Sequence, residues 1–277
     1  MLKNLTATLV AMMMMLVAAT AFAAGGQYDS GFNGEYVEAT GWGDMEGQSI
    51  SDARECAIMD AEANLVGFMQ GVHVDRDSIM EKHRLQSDTV VRKITGMVRY
   101  AEVYWEGQET GRYIVKMRVR AYGNPESSLA GLAFDKPWTP EPLPQPSTTT
   151  TTTTTQQTQT TTNSTTYGYG SYTGLVIDCR GLNISTAMSP VIRDENHRAI
   201  YGHKNLNYDY VVSHGMAGYS HGDATLSRAG SHPMVVKAVS VDGYFYPVVS
   251  QADADAILLA NQNNHFLDRA AVVIMRD

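Results

Sequence analysis

The segment DKPWTPEPLPQPSTTTTTTTTQQTQTTTNSTTYGYGSY, Asp135 to Tyr172, constrains the fold of this chain more than any other. Its prolines favour an extended, semi-rigid polyproline backbone, and the uncharged Thr/Gln tract that follows has no apolar side chains to bury. A core built only from local sequence cannot run through it. The chain therefore divides into an N-terminal region over 35–123, a Pro/Thr/Gln-rich linker over 135–171 and a C-terminal region over 172–277. The 277 residues suit two modest domains of roughly 100–200 residues each. The threonines are acceptors for O-glycosylation in an exported protein, but a flexible spacer is the simplest reading of the tract.

Residues 1–23 read as a secretory leader. Lys3 is a short positive start, a Met/Leu/Val/Ala-rich stretch follows, and Ala21-Phe22-Ala23 has the small-apolar-small form of a cleavage site. An uncleaved anchor is the alternative, since the apolar stretch is close to what a hydrocarbon core of roughly 30 Å requires. Threonines interrupt it, and the small-residue site favours removal. No cysteine stands near the cleavage point, so no lipid anchor is expected. The expected location is periplasmic or extracellular after Sec export, with association to the outer membrane open.

With Lys3 removed alongside the leader, 29 acids face 20 bases. That balance argues against nucleic acid as a partner and has no bearing on fold. Cys56 and Cys179 are the only cysteines. An oxidising compartment would permit their pairing, and two buried free thiols are the equal alternative.

In the N-terminal region, EYVEATGWG alternates as a strand, and Ser49 to Asp52 offers a capping box at a helix start. Ile50, Ala53, Ala57, Ala61, Leu65 and Phe68 then fall on one helical face, with Asn64 at its edge. Three alanines on that stripe would let the helix lie close to a sheet. Gly67 and Gly71 weaken and end the helix, VHVDRDSIM alternates like a strand, and KHRLQSDTVVRKI is partly helical. MVRYAEVYWEG and RYIVKMRVRAYG form a hairpin turning through Gly107 to Gly111.

In the C-terminal region TGLVID reads as a buried strand, and SPVIRDENHRAIYG as a hairpin around Asp194 to His197. MVVKAVSVDGYFYPVVS is a further hairpin around Asp242-Gly243. SQADADAILLANQNNHFLD is a helix with Ser250 as N-cap and acids in its first turn, and AVVIMRD closes the chain as a strand. The expected class is α+β: two small domains, each a mainly antiparallel sheet backed by helices, joined by the Pro/Thr-rich linker.

The series ATGWG, ARECAIMDAEANLVGFMQGVHVD, ITGMVRYAEVYW and YIVKMRV resembles the N-terminal domain of bacterial flagellar assembly protein T. That domain belongs with the small outer-membrane lipoproteins that include the flagellar P protein. The resemblance rests on Asp60-Ala61 and Asn64-Leu65 in the alanine-spaced helix, the exit Gly71-Val72-x-Val74, and the Gly96 to Val103 entry into the hairpin. The stretch YTGLVIDCRGL with MSPVIRDE, IYG and SQADADAI is similar to a second domain of the same group of envelope proteins. The chain departs from the lipoprotein members in lacking the lipobox cysteine. The resemblance implies a non-enzymatic part of the cell envelope, packed around the flagellar rod or on the inner leaflet of the outer membrane, with other envelope or flagellar proteins as partners and a homo-oligomeric ring as one form of assembly.

The residues that carry chemistry fit that expectation. Asp60 and Asn64 lie one helical turn apart and are expected to bond nearby amides at the sheet edge, since buried polar groups are usually satisfied. Asp178 and Arg180 follow a buried strand and are expected to pair, with Cys179 packed inside. Cysteine catalysis would need a histidine and an orienting partner brought in by the fold. Six histidines lie beyond the linker with Asp209 and Asp223 among them, ligand types that suit zinc or copper but spacings that match no helix-borne or finger motif. No cofactor, metal or catalytic residue is assigned. Tyr167, Tyr169 and Tyr172 beside the linker are candidates for a partner contact, because tyrosine offers apolar area with a polar tip. Arg118 and Arg120 alternate along a strand with Arg112 nearby and so charge one sheet face, most simply the solvent side. The competing functional readings are a periplasmic metal- or ligand-binding module and a secreted adhesin or fibre subunit.

Overall fold

The structure, a computed structural model, describes residues 31–74, 88–134, 137–147, 171–221 and 227–277. Strands β1 (Gly31–Phe32), β2 (Tyr36–Asp44), β3 (Glu102–Glu109) and β4 (Arg112–Arg120) form an antiparallel sheet in the order β1-β2-β4-β3. Helices α1 (Ile50–Gly71) and α2 (Asp88–Val98) belong to the same region. The β3–β4 hairpin turns on Thr110-Gly111, both with positive φ, and so is tighter than the five-residue turn expected from sequence.

Helix α1 begins as its capping box predicts, with the Asp52 N–H donating to the Ser49 hydroxyl at 3.1 Å. Its buried stripe is Ala53, Ala57, Ala61, Leu65 and Met69. Two ends of the expected stripe differ. Ile50 is 55% exposed, because Gly43 near the end of β2 already faces Ala53 and one turn earlier the helix has run past the sheet. A row of residues four apart drifts around a helix of 3.6 residues per turn, so Met69 rather than Phe68 ends it, and Phe68 packs at the rim of the core.

The alanines meet glycines. A Cβ at Gly41 would overlap the Ala57 carbonyl, and one at Gly43 would overlap the Ala53 carbonyl. Backbone thus rests on backbone. The same helix covers a stretch of β2 that the two-residue β1 does not reach. The Trp42 N–H donates to Asp60 Oδ2 (3.0 Å) and Asn64 Nδ2 donates to the Thr40 carbonyl (3.0 Å). These side chains supply the ladder partners that a sheet edge otherwise leaves open.

The C-terminal region holds two further four-stranded sheets. One contains β5 (Gly174–Asp178), β8 (Gly218–His221), β9 (Pro233–Lys237) and β12 (Val272–Arg276) in the order β8-β12-β5-β9. The other contains β6 (Ile192–Asp194), β7 (Ala199–Tyr201), β10 (Ser240–Asp242) and β11 (Tyr246–Val249) in the order β10-β11-β6-β7. Helices α3 (Leu129–Ala133), α4 (Tyr208–His214) and α5 (Gln251–Asn264) complete the described α-helices. The hairpins expected around Asp194 and Asp242 form. Ser250 caps α5, accepting the Asp253 N–H at 3.1 Å.

The α+β class holds, but the first of these sheets departs from the antiparallel expectation. Every pairing in it is parallel. Parallel neighbours need long crossovers, which the β6–β7 and β10–β11 excursions with α4 and α5 provide. The signal is present in GLVID and AVVIM. These are continuous apolar runs, as expected of strands buried on both faces, and β5 and β12 lie between the main core and a second cluster of Val176, Ala229, Val273 and Met275.

The linker also departs from a pure spacer. Residues 137–147 lie as a strap on the C-terminal domain. Trp138 donates its indole N–H to the Leu206 carbonyl (3.0 Å) and packs edge-on against Phe134, His203 and Tyr208. The Glu141 N–H donates to the Lys204 carbonyl (2.7 Å), and the Ser147 N–H to Asp255 (2.7 Å). Residues 148–170, like residues 1–23 that read as a leader, lie outside the described residues.

Residues Gly31–Asp277 form one compact unit, in which the main hydrophobic core runs through both domains. Among the described residues no helix is long and apolar enough to cross a membrane. Because α1 and β2 touch through backbone, Gly41→Val is expected to lower stability by about 3 kcal/mol or more, as overpacking with no room to relax does. The urea midpoint should fall accordingly, whereas Gly67→Ala, on the same helix with open space around it, should leave the midpoint unchanged or raise it.

Candidate functional site

The face of the N-terminal sheet turned away from α1 carries an alternation of cations and rings. Arg112, Lys116, Arg118 and Arg120 share that face of β4, because side chains two apart on a strand point the same way. The Arg118 guanidinium lies 4.6 Å from the centre of the Tyr36 ring and 5.2 Å from that of Tyr104. Arg120 also lies 5.8 Å from the Tyr36 ring centre, Arg112 lies over Trp42 at 5.7 Å, and Lys116 lies over Trp105 at 5.3 Å. Cation–ring attraction holds this row in order. Carboxylates orient it further: Arg118 Nε lies 3.0 Å from Glu102, and Arg120 Nη2 lies 2.6 Å from Glu35. These hydrogen bonds raise the pKa of both guanidiniums and keep them charged.

The end of this face near Tyr36 meets the C-terminal domain across a cleft of about 870 Å³. The turn between β1 and β2 sets the distance. Asn33 accepts the Glu35 and Tyr36 N–H groups at 3.0 and 2.8 Å, which places Gly34, with φ +105°, against the Tyr219 ring where no side chain would fit. Tyr219 is itself fixed, since its hydroxyl accepts the Ala187 N–H (2.9 Å) and donates to the Ala187 carbonyl (3.1 Å). Burial pushes its phenol pKa upward.

The opposite wall is built from the end of α4, the edge strand β8, Arg228 and Arg269. Tyr210 and His214, one helical turn apart, stack at 4.8 Å and 17°. Arg228 donates to the carbonyls of Ala270 (2.8 Å), His214 (3.0 Å) and Gly215 (2.6 Å), so a cation closes the C-terminal end of α4 where the helix dipole favours one. Arg269 donates to the Asn264 carbonyl at 2.9 Å and is otherwise exposed. The lining thus sets Arg118, Arg120, Arg228 and Arg269 against Glu35 and Glu38. A chain of net charge −8 keeps a positive cleft.

The structure places the remaining sequence-predicted residues away from the cleft. Asp60 and Asn64 serve β2 as described. The Asp178 and Arg180 side chains pair through two hydrogen bonds, at 2.9 and 2.8 Å, at the end of β5. The guanidinium holds the Asp178 carboxyl below the usual aspartate range. Cys179 beneath them is buried and its thiol is pushed up to about 12, mainly by desolvation. Both thiols are free, and Cys56 is exposed rather than buried. Tyr172 is half-buried and stacks on His232 at 5.7 Å, while Tyr167 and Tyr169 lie outside the described residues. The C-terminal histidines are scattered, and among the described residues no group of three metal-ligating side chains forms. His203, for example, meets the Ser189 hydroxyl at 2.6 Å, and His221 meets the Asp277 carbonyl at 2.6 Å. Asp223 is outside the described residues. Sequence reasoning named Arg118 and Arg120, and it met His214 only among the possible metal-binding histidines and Tyr210 only within a tyrosine cluster; it did not single out Arg228 or Arg269, whose positions no local pattern links to β4.

Two outcomes follow from this geometry. In the folded chain at pH 8, Cys56 should react with a thiol reagent while Cys179 stays protected until denaturant exposes it, because only the thiolate is nucleophilic. For Asp178, whose folded pKa lies below its unfolded value, the pairing stabilises above the unfolded pKa and fades as pH falls through the folded one. Asp178→Asn should therefore cost about 1 kcal/mol at neutral pH, a charge-assisted bond discounted for the part-exposed Arg180, and the difference from the parent in urea titrations should close toward pH 2.

Comparison with known proteins bears on the C-terminal domain. A family model described as the second domain of Treponema pallidum Tp0624 matches residues 174–277, from the first residue of β5 to Asp277. No curated protein matches the chain. The region that holds the parallel sheet and the second wall of the cleft is therefore similar, as a unit, to a domain of a spirochaete protein.

Proposed function

We propose that this chain is a non-enzymatic, exported structural or assembly protein of the bacterial cell envelope, working by surface complementarity at the flagellar basal-body rings or the outer membrane. The observation that carries the reading is the cleft with its adjoining arginine–tyrosine face. Arginine and tyrosine are the residues that dominate protein interfaces, and here stacking and ion pairs hold them in place before any partner arrives. Pre-ordering of this kind lowers the entropy lost on docking.

The chemistry-bearing groups support the same reading. Asp178 is committed to Arg180, Asp60 to a strand amide, and Cys179 to the interior with its thiol protonated. The leader-like residues 1–23 and the likeness of the N-terminal region to flagellar assembly protein T are what support the envelope and flagellar part of this reading. A ring is an economical use of such a surface, since cyclic symmetry repeats one contact many times.

Basal bodies isolated from the native organism and analysed by mass spectrometry should contain this chain, enriched with the rod and ring proteins. Basal bodies that lack it, with the protein recovered free in the periplasm or the medium, would replace this reading with the ligand-binding or adhesin one.

A further inference from the structure

Both walls of the cleft carry the same pair of groups, an exposed arginine beside an aromatic ring. On β4, Arg120 lies 5.8 Å from the centre of the Tyr36 ring and stays 63% exposed despite its bond to Glu35. On the C-terminal wall the Tyr210 hydroxyl donates to the Arg269 carbonyl at 3.2 Å, and both residues are exposed. Arg228 on the same wall donates to three carbonyls, which are neutral, and among the described residues neither it nor Arg269 forms an ion pair. Exposed Asn33 and Ser227 add neutral hydrogen-bonding groups to the lining. The volume of about 870 Å³ falls in the range of roughly 300–1,000 Å³ typical of small-molecule sites.

From these pairs we infer that the cleft binds an acidic oligosaccharide, a short run of sugar units that carry carboxylates. Each ring–arginine pair suits one such unit. The C–H face of a sugar packs on the electron-rich face of tyrosine, and the arginine fork takes its carboxylate through two bonds. Two pairs on opposite walls call for anionic groups set apart along the ligand, which a repeating acidic sugar has and a single phosphate or sulfate lacks. A peptide is the poorer occupant, because each of its residues brings a backbone N–H and C=O that need partners. The groups on the two walls are instead side chains that suit carboxylates and hydroxyls. The inference rests on the docking reading above for the role of the cleft and names the chemistry of what docks there.

The test titrates the full chain with tetragalacturonic acid by calorimetry, with neutral maltotetraose, tetraglutamate and inorganic pyrophosphate as comparisons. The acidic sugar should bind and weaken as salt rises, and maltotetraose should bind at least about tenfold more weakly. Arg120→Glu and Arg269→Glu, taken from opposite walls, should each weaken binding at least about tenfold, while Arg112→Glu, on β4 but outside the cleft, should stay within about twofold. Tyr210→Ala removes a ring and should weaken binding about threefold or more. Urea midpoints equal to the parent's show that these exposed substitutions leave the fold intact, and Arg120→Gln or Arg269→Gln replaces a charge-reversal variant that does not fold. No binding of the acidic sugar, equal affinity for maltotetraose, or full affinity in both arginine variants would overturn the inference. So would tetraglutamate binding as tightly, which would assign the cleft to an acidic protein segment, or pyrophosphate binding as tightly, which would make it a general anion site. Binding is read on the purified chain, so absence from basal bodies leaves this inference standing, and loss of sugar binding leaves the envelope placement standing.

Discussion

The close approach of α1 to β2 is the contact on which the rest of the structure depends. Gly41 and Gly43 on the strand and Ala53, Ala57 and Ala61 on the helix remove the side chains that would hold the two backbones apart. A helix seated so closely covers β2 and β4 and supplies Asp60 and Asn64 to the part of β2 beyond β1. The opposite face is left partly open to solvent, and there a row of arginines and rings can stand at a small desolvation cost.

The seam between the domains then turns that face into a cleft. It is made of backbone polar groups as well as apolar packing. The Thr186 hydroxyl donates to the Phe32 carbonyl at 2.6 Å, the Met188 N–H to that of His73 at 2.9 Å, and the Ser189 N–H to that of Val74 at 2.6 Å. Tyr122, at the end of β4, lies beneath Gly215 at the end of α4. These bonds are directional, so the domains meet at a set angle and the two walls keep their separation. The strap from 137 to 147 secures the C-terminal domain independently, through Trp138 at one end and Ser147 at the other.

Electrostatics distinguish this cleft from the remaining surface. Most surface ion pairs contribute little to stability because water screens them. Their value here is geometric: Glu35 and Glu102 hold two arginines at fixed places beside Tyr36, and three carbonyls hold Arg228. The result is a positive, ordered concavity on an acidic molecule, a pattern that steers oppositely charged partners.

Much of this was legible in the amino-acid order. The period of the alanines placed α1, the capping serines at Ser49 and Ser250 placed two helix starts, and alternation in RYIVKMRVR put Arg118 and Arg120 on one face. These are local signals, set by the geometry of a single element. Other features needed the fold. The parallel pairing of β5, β8, β9 and β12 depends on which apolar runs find each other across long crossovers, and a run such as AVVIM states burial without stating its neighbours. The strap looked like a spacer because its composition is that of one, and only the aromatic pocket around Leu206 gives Trp138 a place to bind. The cleft was least visible of all, since it joins positions from Asn33 to Val273 that share no motif. Sequence by itself determined the elements and the faces they present, because side-chain period and capping act within a few residues. Tertiary structure alone decided which faces meet, because that depends on contacts between residues far apart in the chain.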